Sequence, residues 1–305
     1  MSREVQDIKV STLSIVVGNS GCNGTCPYCV SRMSPDFGHP SDINWRNFGK
    51  ACRLAEVKGV TTVLLTGKGE PTLHPELVNS YLKAIARHSF PFIDLQTNGI
   101  FLDVVRRDGS AYGDRINRNT IAYWHEMGVS TVAVSMAHYD NKINASVCQS
   151  SAPERDQTNL GALVAFLHDM RFSVRLCCVV MNGYIDKPEE VDNLVKFARS
   201  NSVEQLTLRP IGKPVKSKDP EGLEWVAHHE LTVEEKKAID DHVAEKGQYL
   251  MTPPHGADVF DIEGQNICLS DCLPRERPPG SSIQIIFWPN GSIRYDWQFE
   301  GAVLL

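Results

Sequence analysis

The sequence predicts an α/β protein, a parallel sheet with helices outside, arranged as a partial (β/α)6 TIM-like barrel with a small C-terminal extension. Three observations predict it. Short β-branched runs alternate six times with amphipathic segments of helical length. Six units fall short of the eight that close a barrel. Beyond residue 247 the alternation stops. The chain therefore divides into residues 1–247, the barrel, and 248–305, an extension expected to cap one end of it.

The elements follow in order. Residues 13–17 form a β-branched first strand that stops at Gly18, and a cysteine-rich loop comes directly after it. Ser41, Asp42 and Asn44 offer caps for a helix over 44–58. Its Phe48, Cys52, Leu54, Ala55 and Val57 lie largely on one side, and Gly59 ends it. Strand 61–65 precedes helix 75–88. Strand 92–96 precedes helix 115–127, closed by Gly128. Strand 131–135 precedes helix 156–170. Strand 172–180 precedes helix 187–200, with Pro188 in its first turn. Strand 205–208 precedes helix 232–246. Two stretches break the rhythm, 100–114 and 211–231. Long loops in compact domains are often lids or binding loops, and a polar linker is the alternative for the second. In the extension, 283–288 and 292–297 read as a hairpin around Pro289-Asn290-Gly291, because Asn-Gly is a strong turn signal.

Composition narrows the function. Hydrophobic content of 42% and charged content of 22% are ordinary for a globular chain. No apolar run reaches the roughly 18 residues of a membrane span, and the first residues lack the apolar core of a secretory signal. The expected location is the cytoplasm. Nine cysteines suit a reducing compartment, where clustered thiols are more often metal ligands or catalytic groups than disulfides. A net charge of −6 argues against nucleic acid as a partner.

The chemistry begins at Cys22-Asn23-Gly24-Thr25-Cys26-Pro27-Tyr28-Cys29. Thiolates are soft ligands for zinc, copper(I) or iron–sulfur clusters. Three cysteines are one short of a structural zinc site or an ordinary four-iron cluster. The simplest reading is a cluster with one iron open to a ligand that is not protein. A zinc knuckle or redox loop is the alternative; it makes the chain an iron–sulfur or zinc-binding module with an electron-transfer or structural role. Either object would sit beyond the C-terminal end of the first strand, where ligand loops lie in barrels and open α/β sheets.

Cys-x3-Cys-x2-Cys with an aromatic before the third cysteine resembles the signature of the radical S-adenosylmethionine (radical SAM) enzymes. Later motifs resemble the branch that includes the molybdenum-cofactor GTP cyclase and the SPASM and twitch proteins. The resemblance implies a partial barrel and a 4Fe-4S cluster on Cys22, Cys26 and Cys29. It implies S-adenosylmethionine on the open iron, cleaved by an electron from a flavodoxin- or ferredoxin-type donor to a 5′-deoxyadenosyl radical. Such enzymes are oxygen-sensitive. Tyr28 falls among the implied cofactor-binding residues. Gly67-Lys68-Gly69-Glu70-Pro71, after the second strand, is similar to the family's Gly-Gly-Glu motif, with Lys68 as a departure. Gly67, Gly69 and Glu70 are then expected to meet the methionine amino group. Thr97-Asn98-Gly99 ends the third strand and Ser135 the fourth, as in that branch, so Thr97 and Ser135 are candidate cofactor contacts. A plain turn is the alternative for each.

On the fifth strand, alternation sends Arg175 and Cys177 to one face and Leu176 and Cys178 to the other. Arg175 is taken as inward, a candidate carboxylate clamp, and Arg209 is a similar candidate. Cys177 stands where the cyclase group usually has asparagine, which puts that group's substrate contacts in doubt. Cys52, Cys148, Cys177 and Cys178 otherwise read as buried thiols. Cys268 and Cys272 are a candidate auxiliary metal site, two cysteines where such extensions supply three or four. His228, His229 and His255 read as surface or cap residues. No catalytic acid, base or nucleophile stands out. The substrate expected is a small molecule or peptide.

Overall fold

The computed structural model describes residues 10–39, 42–214, 217–253, 256–270, 283–298 and 300–305. Ser41, His255 and Cys272 lie outside the described residues. Six strands run parallel and lie side by side in chain order: β1 (Val10–Val16), β2 (Thr62–Thr66), β3 (Phe92–Thr97), β4 (Val129–Met136), β5 (Ser173–Val180) and β6 (Gln205–Pro210). Helices connect them: α1 (Val30–Met33), α2 (Trp45–Val57), α3 (Pro75–Ile85), α4 (Ile100–Asp108), α5 (Arg118–Glu126), α6 (Asn141–Cys148), α7 (Leu160–Asp169), α8 (Pro188–Ser200), α9 (Pro220–His229) and α10 (Val233–Lys246). Parallel neighbours need such crossovers.

The two faces of the sheet differ in chemistry. Leu13, Ile15, Val63, Leu65, Leu95, Leu176 and Leu206 point outward into the main core with the helices. Their alternates point inward and are largely polar. Asp94 of β3 accepts from Arg175 of β5 at 2.8 Å. Arg175 also donates to Gln205 of β6. Gln205 donates to Asn266 at 3.1 Å. Arg175 and Cys177 thus share the inner face, as alternation requires. A buried aromatic contributes roughly 1.5–3 kcal/mol by burial. Phe48 of α2 packs against Tyr81 of α3 at a centroid distance of 5.3 Å.

The extension joins this same sheet. β7 (Gln248–Met251), β8 (Asp258–Ile262) and β9 (Gln265–Leu269) continue it beyond β6, with β9 parallel to β6 and the other pairings antiparallel. β10 (Ile283–Phe287) runs parallel to β1, and β11 (Ile293–Arg294) turns back on β10. β7 and β11 occupy opposite edges, so the sheet stays open. Phe287 of β10 packs on Phe48 at 5.1 Å.

The sequence expectation placed residues 248–305 over one end of the barrel; their described strands pair along both sheet edges. Three further differences stand out. The 100–114 stretch holds α4 and Ser110–Ala111, which pairs with Ile116–Asn117 beyond it in a two-stranded ribbon. The 211–231 stretch holds α9. A helix, α6, precedes α7 between β4 and β5. Among the described residues no helix is long and apolar enough to cross a membrane.

Candidate active site at the mouth of the barrel

Each part of the site lies where a parallel strand gives way to a loop. After β1 the chain turns at Gly18, φ 73°, a left-handed conformation that suits glycine. After β2 comes Gly67-Lys68-Gly69-Glu70. A Cβ on Gly69 would sit 1.9 Å from the Gly21 carbonyl oxygen, so only glycine lets this turn press on the cysteine loop. The Glu70 N–H donates to that same carbonyl at 2.9 Å.

Glu70 fastens the loops together. It is 3% exposed. Its Oε1 accepts from the Thr72 N–H at 2.9 Å, the Thr72 hydroxyl at 2.7 Å and the Thr97 hydroxyl at 2.7 Å. Its Oε2 accepts from the Asn98 N–H at 2.8 Å. Burial pushes the carboxyl up, and the four donors pull it back. Asn98 extends the connection. Its Nδ2 donates to Asn23 Oδ1 at 2.8 Å and lies 3.6 Å from the Cys22 sulfur. Lys68 grips the other flank. It is 4% exposed, and its Nζ donates to the Ser34 hydroxyl at 2.6 Å and carbonyl at 3.1 Å. Burial holds the amine down at about 8, with Asp36 and Cys29 pulling it up.

Within the cysteine loop, the Gly24 N–H donates to the Cys22 sulfur at 3.3 Å. Cys22 is exposed as a residue, but its sulfur is partly covered. That cover, then Glu70, Cys26 and Cys29, pushes the thiol up. Cys26 packs against the cluster that holds Cys148, at the end of α6; the influence of Cys148 and burial push the Cys26 thiol up, while Cys26 draws Cys148 down. The Tyr28 hydroxyl lies 3.3 Å from the Cys148 sulfur, and its ring is 5.9 Å from Trp225 of α9.

Among the described residues no three ligand-type side chains are drawn in around one metal position. The donor set still suits a cluster. Three free thiols share one loop, an N–H already addresses Cys22, and the buried Asn23 Nδ2 has no acceptor.

The structure therefore brings Cys22, Cys26, Cys29, Tyr28, Gly67, Gly69, Glu70 and Thr97 into one assembly. Ser135 lies near the end of β4 and is exposed. Register sets it opposite Cys177, which faces Thr207, which faces Cys268. Burial pushes the Cys268 thiol up. Arg175 stands one inner step below Cys177 and is engaged by Asp94 and Gln205. Sequence reasoning gave no role to Thr72 or Asn98, read Cys148 as a buried thiol, which it is, and read Lys68 only as a departure. Asn98 alone carried a signal, inside Thr97-Asn98-Gly99.

A family model for the radical SAM superfamily matches residues 16–198. The chain belongs to that superfamily, whose enzymes use a 4Fe-4S cluster and S-adenosylmethionine. No curated protein matches it in sequence. Among solved structures it is similar to Streptococcus suis SuiB bound to S-adenosylmethionine, with TM-score 0.57 and 15% identity over 94% of this chain and 61% of that one. SuiB bound to its precursor peptide SuiA gives TM-score 0.57 and 14% identity, over 94% and 60%. HydG, a maturase of the FeFe-hydrogenase, gives 0.51 and 9%, over 78% and 51%. These are likenesses of fold, and the chain spans about 61% of the length of SuiB.

Proposed function

We propose that this chain acts on a small-molecule or peptide substrate at the mouth of its barrel. In this reading Cys22, Cys26 and Cys29 hold the 4Fe-4S cluster, and S-adenosylmethionine binds beside Gly67, Gly69, Glu70 and Ser135. With one electron from a flavodoxin- or ferredoxin-type donor, the bound pair supplies a 5′-deoxyadenosyl radical that removes hydrogen from substrate. The observation that carries the reading is Glu70: one buried carboxylate ties the β2 exit to the β3 exit, and Asn98 carries the tie to Cys22.

The chain's own groups divide the work. Glycines at 67 and 69 leave the backbone open to close approach. The Thr97 hydroxyl is already given to Glu70, so Thr97 acts by holding that carboxylate. The Ser135 hydroxyl is exposed and suits a ribose or carboxylate oxygen. Arg175, bound to Asp94, shapes the floor of the chamber instead of clamping a cofactor carboxylate. The described strands of the 248–305 extension continue the sheet beyond the six strands of the 1–247 barrel, and in this reading they help limit water around a reactive intermediate. The net charge of −6 favours a peptide or metabolite over a polyanion. SuiB, seen with a precursor peptide, lends the peptide option support.

The test is anaerobic reconstitution with iron and sulfide, followed by S-adenosylmethionine and dithionite. A four-iron cluster and 5′-deoxyadenosine are expected, and Cys26→Ala should abolish both. Stable zinc binding without 5′-deoxyadenosine would sink the proposal.

A further inference from the structure

We propose that α9 fixes the cysteine loop from across the barrel mouth, with Arg32 as the positioning residue: its guanidinium holds the Cys26 and Pro27 carbonyls and the Asp219 carboxylate together. The inference rests on the site reading above and adds an element that lies outside the three-cysteine signature.

The geometry begins with α1, a single turn of helix directly after the loop. Its Arg32 reaches back. One terminal nitrogen donates to the Cys26 carbonyl at 2.8 Å and to the Pro27 carbonyl at 3.4 Å. The Nε of the same guanidinium lies 3.3 Å from Asp219 Oδ2. A planar guanidinium can face carbonyls and a carboxylate on different edges at once, and an ammonium cannot hold the same fork. Asp219 divides its two oxygens. Oδ1 accepts the Gly222 N–H at 3.0 Å and caps α9, and Oδ2 faces Arg32. One carboxylate therefore starts α9 and engages the side chain that holds the loop.

Further contacts lay α9 along the loop. A Cβ on Gly222 would sit 3.1 Å from the Pro27 carbonyl oxygen. The Lys218 N–H donates to the Met33 carbonyl at 3.1 Å. Val226 is fully buried in one cluster with Met33 and Met181. At the other end of α9 the His229 carbonyl accepts the N–H of Asn182, just past β5, at 2.9 Å. Ten helical residues span about 15 Å, so α9 reaches from the cysteine loop to the β5 exit. The side chains of Arg32 and Asp219 are 51% and 21% exposed, and a pair so open to water adds little stability. Its effect is on position: it selects one place for Cys26-Pro27, and that place follows α9.

Hydrogen exchange followed by mass spectrometry on the cluster-free full chain tests the link in Arg32→Met, Asp219→Asn and the double variant. Asp219→Asn keeps a capping oxygen for α9 and removes only the charge, so it isolates the pair. Exchange over residues 22–29 should rise in each single variant by about two- to fivefold, the range open to a half-exposed pair. The double variant should match Arg32→Met, because the two residues act through one contact. Wild-type exchange over 22–29 in Asp219→Asn, or effects that add in the double variant, overturns the inference. After anaerobic reconstitution, 5′-deoxyadenosine formed per iron should fall in both single variants; an unchanged rate in both overturns the positioning role of Arg32. A wild-type chain that assembles no cluster overturns the site reading, while the exchange rates still decide whether α9 holds the loop.

Discussion

The strand exits on the two sides of the barrel mouth are built differently. At β1, β2 and β3 nearly every polar group is already committed inside the protein. Glu70 takes four donors, Lys68 is bound to Ser34, and Asn98 joins Asn23 to the Cys22 side. At β4, β5 and β6 the interior is looser. Ser135 is exposed, Val179 and Arg209 are half-buried, and the ion pair of Arg175 lies lower in the barrel. A preorganised half suits a cofactor that is the same in every turnover, because fixed groups cost little reorganisation when it binds. In the proposed reading the open half faces the substrate.

Three substitutions probe this contrast, in decreasing order of expected effect. Glu70→Ala strips buried donors on Thr72, Thr97 and Asn98 of their acceptor. Each orphaned group costs about 1–3 kcal/mol, so thermal or denaturant unfolding should show a loss on the order of 3 kcal/mol. Binding of S-adenosylmethionine should fall while cluster iron is retained; an equal loss of iron would contradict the role given to Glu70.

Lys68→Met should show a smaller, pH-dependent effect in the cluster-free chain. The folded amine titrates near 8 and the unfolded one near 10.5. Between those values the unfolded state holds the extra proton, so wild-type stability rises with pH through that window relative to Met. The stability difference, Met minus wild type, should therefore shrink from pH 8 to 10.5. A flat difference in urea titrations would break the link between burial and the lowered amine.

Ser135→Ala should change stability by less than about 0.5 kcal/mol, since the side chain is exposed. Its effect should appear in calorimetry as weaker S-adenosylmethionine binding, up to about tenfold for one lost hydrogen bond. A loss of stability with unchanged binding would move Ser135 to the structural half.

Periodicity made the six parallel strands readable, because each carries a clean outward row such as Leu13 and Ile15 or Leu206 and Leu208. What it missed had weaker local signals. Asn141–Cys148 is eight residues of mixed polarity held by an Asp140 cap. The β8–β9 hairpin turns on Glu263 and Gly264, both with positive φ, and Glu-Gly is not among the preferred turn pairs. Ile100–Asp108 was amphipathic enough to find, but the turn at Gly99 before it invited a loop. The cysteines and Glu70 stood out through spacing. Their surrounding hydrogen-bond partners did not, because Lys68–Ser34 and Tyr28–Cys148 span long stretches of chain.

The placement of β10 beside β1 bears on the order in which the molecule is assembled. The strand that leads into the cysteine loop gains its second neighbour only when Ile283–Phe287 has been made, and Ser14 waits for Gln284. Contacts so distant along the chain form late, since closure entropy must be overcome before they are rewarded. During synthesis the thiols of the loop therefore hang from a half-paired strand. In the proposed reading, iron and sulfide would meet a rigid receptor only once Ile283–Phe287 has paired with β1.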